Sequence, residues 1–297
     1  MTEATTTAHS IVVGVDGSED GRRAVDWAAE QATLEHRTLT LLHAVPPVEA
    51  LASSYLMSAG VDLVELQEEI STAARTTLEA EVERVLGTHP SLTVRSLIVD
   101  GDPRVALLAA SPTASLLVVG SRGLGMFTSV LLGSVSLAVT REATCPVVVV
   151  RPGGEPRRSG VLVGADGTAS SVAVLEFAFR QASLRGVPLT VAHCFWDAVV
   201  VRDGIRRLAT DEHGHEDLRM LMAESVAGLG EKFPDVQVHL DLLRGLVDAS
   251  LGEAAESHAP VVIGCHHRPT LSRLIWGSVA TTVVERAHGP VAVVPQG

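Results

Sequence analysis

Lysine is all but missing from this chain: of 23 basic residues only Lys232 is a lysine, in the setting "LGEKFPD". No glycine loop precedes it and no Ser or Thr follows it, so a phosphate loop of the form G-x-x-x-x-G-K-[ST] is absent. Schiff-base chemistry would likewise rest on this one residue, near a helix end. Cysteine is scarce too. Cys145, Cys194 and Cys265 are widely spaced and odd in number, which argues against a disulfide framework and fits a reducing compartment. Aromatics make up 3% of the chain, so any core must be built from Val, Leu, Ile and Ala. Positive charge is outweighed, with a formal net charge of −12, and no basic stripe with interleaved aromatics appears. That balance argues against nonspecific binding to nucleic acid or to an anionic membrane. No run approaches the ~18 consecutive apolar residues of a membrane span. The polar start "MTEATTTAHS" lacks the apolar stretch of a signal peptide. The expectation is a soluble, cytoplasmic protein.

What the chain does have, it has twice. "IVVGVDGS" at 11–18 reappears as "VLVGADGT" at 161–168, so that Asp16 falls on Asp166 at an offset of 150. The register continues without a gap through "AVDWAAEQATLEHRTLTLLHAV" over "VLEFAFRQASLRGVPLTVAHCF", placing His43 on His193. Further along the offset becomes 144: Gly120 falls on Gly264, and "CPVVVV" at 145–150 on "GPVAVV" at 289–294. The six-residue difference lies in the middle, where the copies diverge most. The join, "RPGGEPRRS", has the glycines, prolines and charges of a linker. Two homologous domains follow, 1–152 and 158–297.

Each copy alternates strand and helix. In the first, "IVVGV" reads as a buried strand. Ser18 reads as the N-cap of a helix with Glu19 and Asp20 in its first turn, running to about His36. "TLTLLHAV" is a second strand. Leu63, Leu66, Ile70, Ala74, Leu78, Val82 and Val85, spaced by threes and fours, make an amphipathic helix from Leu63 to Leu86. "LTVRSLIV", "SLLVVG" and "PVVVV" complete five strands. Short, Val-rich strands alternating with helices predict an α/β unit with a mostly parallel five-stranded sheet and helices on both faces.

Ligands of such sheets bind beyond the carboxyl ends of the strands, where the strand order reverses. Asp16, the segment His43–Val45 and a glycine loop starting at Gly120 all fall at strand ends. The loop "VVGSRGLGMFTSVLLGS" has the skeleton Gly120-x2-Gly123-x9-Gly133-Ser134. Glycines there permit positive φ and close approach of backbone to a ligand, and consecutive amides can face phosphate oxygens. A helix starting at Ser134 would add its N-terminal N–H groups and partial positive charge. The Ser134 hydroxyl either donates to a phosphate or caps the helix. Asp16 either contacts a ligand, ribose or a phosphate-bound Mg2+ among them, or closes an Asx turn before Gly17. His43 and His193 have no nucleophile or carboxylate placed beside them by sequence and are read as packing residues. "CHH" at 265–267 fits no zinc spacing.

The G-x2-G-x9-G-[ST] loop, following "VVGVDGS" and preceding "CPVVVV", resembles the universal stress protein family in its ATP-binding, tandem-domain form, over essentially the whole chain. The resemblance implies a Rossmann-like fold in each half, with ATP, accompanied by Mg2+, as the ligand. It implies phosphates against Gly120, Arg122, Gly123, Gly133, Ser134, Val135 and Ser136, with Asp16 near the nucleotide and the Val45 backbone near adenine. It also implies pairing through the last strands, satisfied within a tandem chain or in a homodimer, and regulatory protein partners. The second copy keeps Asp166, Gly264, Gly277 and Ser278 but has His267 for Gly123, Pro269 for Gly125 and Ala280 for Ser136. If Gly123 must be left-handed, a side chain there costs about 1–2 kcal/mol. The second copy is then expected to bind weakly or not at all, unless His267 itself holds phosphate.

The expected function is that of a nucleotide-dependent stress-response regulator. A slow ATPase or nucleotidyl transferase of related fold and a scaffold with vestigial sites are the alternatives. No catalytic base or metal site is placed by motif, and neither S-G-G-x-D-S nor H-x-G-H occurs.

Overall fold

The computed structural model describes residues 8–48, 62–123, 132–152, 160–195, 199–202, 205–208, 212–266 and 272–296; for 199–202, 205–208, 212–215, 266 and 272–278 it describes the backbone alone. The chain divides into two compact units, Met1–Val150 and Arg151–Gly297.

In the first unit the order is β1 (Ile11–Gly14), α1 (Glu19–Leu34), β2 (Leu39–Val45), α2 (Leu63–Thr88), β3 (Val94–Asp100), α3 (Pro103–Ala110), β4 (Leu116–Gly120), α4 (Ser134–Glu142) and β5 (Val147–Val150). All pairings are parallel, in the order β3-β2-β1-β4-β5, so the order reverses between β1 and β4. Ile11, Val12, Val13, Leu117, Val118, Val148 and Val149 lie at 0% exposure. Successive residues of a strand point to opposite faces, so this burial requires cover on both. Helices α1 and α2 supply one layer, and α3 with α4 the other.

Local chemistry explains the helix ends. Ser18 caps α1 by accepting the Gly21 N–H at 3.0 Å. Helix α1 stops at Leu34, two residues short of the expected end, because His36 takes the left-handed conformation at φ 51°. Of the apolar stripe on α2, Ala74, Leu78 and Val85 are buried, and Glu81 joins them, held by Arg22 and Arg84.

The second unit repeats the plan: β6 (Val161–Gly164), α5 (Val172–Arg185), β7 (Leu189–Phe195), β8 (Val199–Arg202), β9 (Ile205–Leu208), α6 (Glu212–Lys232), β10 (Val238–Arg244), α7 (Val247–Ala254), β11 (Val261–His266), α8 (Ser272–Arg286) and β12 (Val291–Gln296). Its main sheet is parallel, in the order β10-β7-β6-β11-β12. The antiparallel hairpin β8–β9 lies in the divergent middle of the repeat, whose counterpart in the first unit falls outside the described residues. Among the described residues no helix is long and apolar enough to cross a membrane.

Candidate functional site

At the strand-order reversal of the first unit lies a cavity of about 640 Å³. Its wall is drawn from the carboxyl ends of three strands: Gly14 to Asp16 after β1, His43 and Ala44 on β2, and Val119 and Gly120 on β4. Arg122, Gly123 and residues 133–136 close one side, and Pro46, Pro103 and Leu107 add an apolar wall. The size falls within the ~300–1,000 Å³ range of small-molecule sites.

The loop glycines serve space rather than dihedral freedom. Gly120, Gly123 and Gly133 are absent from the positive-φ glycines, and Gly133 has φ −68°. A left-handed requirement at Gly123 is thus corrected. A Cβ on Gly123 would instead fall 2.7 Å from Asp16 Oδ2. Across the carboxylate, a Cβ on Gly21 would fall 2.5 Å from Asp16 Oδ1. The Asp16 carboxylate therefore occupies a slot between two glycines from distant segments, and its hydrogen-bond donor among the described residues is the Ser18 N–H, at 2.9 Å. The Asx turn is present, and among the described residues Oδ2 has no donor.

Helix α4 begins at Ser134 with Gly133 as N-cap, and no side chain caps it. The Ser134 hydroxyl is therefore not the cap, and among the described residues no side chain accepts from the first-turn N–H groups. This is the arrangement that suits an anion. The Ser136 hydroxyl is committed elsewhere, donating to the Gly120 carbonyl at 2.6 Å. Arg122 lines the cavity with its Nε 3.3 Å from Asp20 Oδ2.

Asp20 is a residue the sequence reading missed. Buried to 7% exposure, it accepts from Ser121 Oγ at 2.9 Å and from Arg23 at 2.6 Å besides Arg122, tying the start of the glycine loop to helix α1. In sequence it looked like a dipole-complementing acid of the first turn. Its loop partners stand about a hundred residues away, beyond any local pattern.

Val45 does not line the cavity. Its side chain is buried and its carbonyl accepts the Gly101 N–H at 2.8 Å; the flanking Ala44 and Pro46 form the wall instead. His43 does line it, with Nδ1 buried and without a partner. Burial lowers its pKa, against an opposing pull from Asp16. In the second copy His193 Nδ1 lies 3.0 Å from the Ala165 carbonyl.

The equivalent cavity of the second unit measures about 120 Å³. Three contacts fill or close it, two of them from replaced residues. Leu251 presses on Gly164, with Cδ1 2.9 Å from where a Cβ would stand; the corresponding Leu107–Gly14 distance is 3.4 Å. The Gln296 amide lies over Gly264, its Nε2 2.3 Å from a Cβ position. Finally, Ser171 stands where the first copy has Gly21. Its hydroxyl donates to Asp166 Oδ1 at 2.5 Å and accepts the Asp166 N–H at 3.3 Å. Thr168 adds its N–H at 2.9 Å and its hydroxyl at 2.7 Å to the same oxygen. Burial pushes the Asp166 carboxyl up, but these bonds outweigh it and hold the group below the usual range. Helix α8 begins at Ser272, so Gly277 and Ser278 lie inside it rather than at its start, where they were expected. Their side chains, and His267 and Pro269 altogether, lie outside the described residues. No group of three or more His, Cys, Asp or Glu side chains suited to a metal occurs among the described residues.

A model of the "Universal stress protein family" matches residues 7–151 and again 159–295. A universal stress protein of Mycolicibacterium smegmatis is 36% identical over 293 residues, covering 97% of each chain. One from Mycobacterium tuberculosis is 34% identical over 289 residues, covering 95% of each. Among solved structures, a universal stress protein from Archaeoglobus fulgidus superposes with a TM-score of 0.69, covering 97% of this chain and 96% of its own, at 22% identity. That likeness shows the fold: two Rossmann-like domains in tandem.

Proposed function

Because the chain belongs to the universal stress protein family, we propose that its N-terminal copy binds ATP and that the protein is a nucleotide-dependent regulator in the stress response. The observation that carries the reading is the pairing of an open Asp16 carboxylate with an uncapped helix N-terminus across a cavity of about 640 Å³. An adenosine moiety suits the apolar side formed by Pro46, Pro103 and Leu107. The phosphates suit the N–H groups of Ser134 to Ser136 with Arg122 beside them. Gly120, Gly123 and Gly133 keep side chains out of that path. A Mg2+ accompanying the nucleotide would be held by phosphate oxygens and the Asp16 carboxylate, which is the hard oxygen donor available there. The ionisable side chains on the wall are Asp16, His43 and Arg122. Among the described residues no second carboxylate lines the wall beside Asp16, and the reading is one of holding a nucleotide rather than turning it over quickly.

In the C-terminal copy Asp166 is already engaged and Gly264 is covered, so the expected stoichiometry is one ATP per chain. The reading keeps the cytoplasmic setting and the unidentified regulatory partners expected from sequence. Purification followed by identification of retained nucleotide, with calorimetric titration of the stripped protein, tests it. One tight ATP per chain with slow phosphate release is expected. No binding would leave a scaffold, two tight sites would reject the asymmetry, and rapid phosphate release would make the protein an enzyme.

A further inference from the structure

The two copies differ at one position that belongs to no loop motif. In the first turn of α1 stands Gly21; its counterpart, at the end of the turn that precedes α5, is Ser171. Glycine within a helix is costly, by roughly 0.5–1 kcal/mol against alanine, unless something requires it. Nothing in the dihedrals of Gly21 does, for it is not among the positive-φ glycines. What requires it is the Asp16 carboxylate, whose Oδ1 lies 2.5 Å from where a Cβ would stand.

We infer that Gly21 is a positioning residue for the nucleotide site, acting through Asp16: its missing side chain lets the carboxylate stand in the slot opposite Gly123 with an oxygen free for ligand. This rests on the ATP reading above. The second copy shows the alternative within the same molecule. There the Ser171 hydroxyl clasps the aspartate from both sides, accepting from its N–H and donating to its Oδ1. The change also redirects the preceding hydroxyl. Ser18 accepts from the Gly21 N–H and caps α1, whereas Thr168 turns to Asp166. With that cap lost, residues Ala169–Ser171 form a 3-10 turn and the α-helix starts only at Val172. The two copies thus set a capped helix beside a carboxylate whose Oδ1 takes one donor against a frayed start beside one whose Oδ1 takes three.

The test measures ATP affinity of the full chain by calorimetry for wild type, Gly21→Ala, Gly21→Ser, Asp16→Asn and the double variant G21S/D16N. Thermal denaturation without nucleotide is followed in parallel. Gly21→Ala and Gly21→Ser should weaken ATP at least tenfold while the unliganded Tm stays within a few degrees of wild type. Because the effect runs through Asp16, Gly21→Ser should cost little further affinity in the Asp16→Asn background, a non-additivity that general destabilisation does not produce. Unchanged affinity in Gly21→Ser, or the same loss with and without Asp16, overturns the inference while leaving the ATP site standing. Failure of wild type to bind ATP overturns the site itself and the inference with it.

Discussion

Consider replacing Gly120 by alanine, with Gly264→Ala in the other copy as its control. Gly120 ends β4 and Gly264 lies in the equivalent strand β11, yet their surroundings differ. The Cβ of Gly120→Ala would stand 2.8 Å from the carbonyl carbon and oxygen of Asp20 and 3.0 Å from the Gly21 nitrogen. All three are backbone atoms in the first turn of α1, held by the Ser18 cap and the Asp20 ion pairs, so relief requires parting helix from strand. Overpacking of this kind costs about 1–3 kcal/mol. Reduced freedom of the unfolded chain returns about 0.4–1 kcal/mol. The net loss is about 1–2 kcal/mol, and a unit of this size loses about 2–4 °C in Tm per kcal/mol. For Gly264→Ala the three nearest atoms among the described residues all belong to the end of the Gln296 side chain, which can rotate away, so its net effect should lie within about 0.5 kcal/mol of zero. Scanning calorimetry gives the shifts, and hydrogen exchange followed by peptide mass spectrometry assigns them. Protection should fall in peptides covering β4 and stay unchanged in those covering β11. Equal shifts, or a larger one from Gly264→Ala, would refute the idea that backbone contact with α1 is what demands glycine.

Other outcomes follow from single contacts. Ser136→Ala removes a buried hydroxyl that donates to the Gly120 carbonyl and should lower stability by about 1 kcal/mol in urea titrations, the second copy having Ala280 there. Burial lowers the His43 pKa below its ordinary value of 6.5. As pH falls through that value the unfolded chain takes up a proton that the native state refuses, so stability should decline on acidification; His43→Phe should flatten that slope, and an unchanged slope would contradict it. Burial pushes the Cys145 thiol up to about 12 and Cys194 up to about 11. At pH 8 neither should react with iodoacetamide in the native protein, and both should label once it is denatured.

Much of the site was legible before the fold was known, and for local reasons. Ser18 as a cap, the start of α4 at Ser134 and the Gly120–Gly133 skeleton are all short-range features. The parallel topology then brings Asp16, His43 and Gly120 to one edge, as strand-end placement implied. Other features were not legible because they arise between distant segments. Asp20 binding Ser121 and Arg122, Gly21 making room for Asp16, and Gln296 lying over Gly264 leave no mark on any window of sequence. The left-handed conformation considered for Gly123 is absent, and the slot it forms with Gly21 exists only once the ends of β1 and β4 are adjacent. The Val45 backbone was expected near adenine; its carbonyl accepts the Gly101 N–H, a contact between distant segments, and Ala44 and Pro46 line the cavity on either side of it.

By itself, then, the sequence determined the repeat, the strand–helix alternation and the inequality of the two glycine loops. These depend on periodicity, capping and residue identity, which act over a few residues or are copied whole between the units. Tertiary structure decided how heavily each copy's carboxylate is engaged. That outcome turns on whether a Cβ and a hydroxyl stand within about 3 Å of Asp16 or Asp166, a distance set by packing helix against strand.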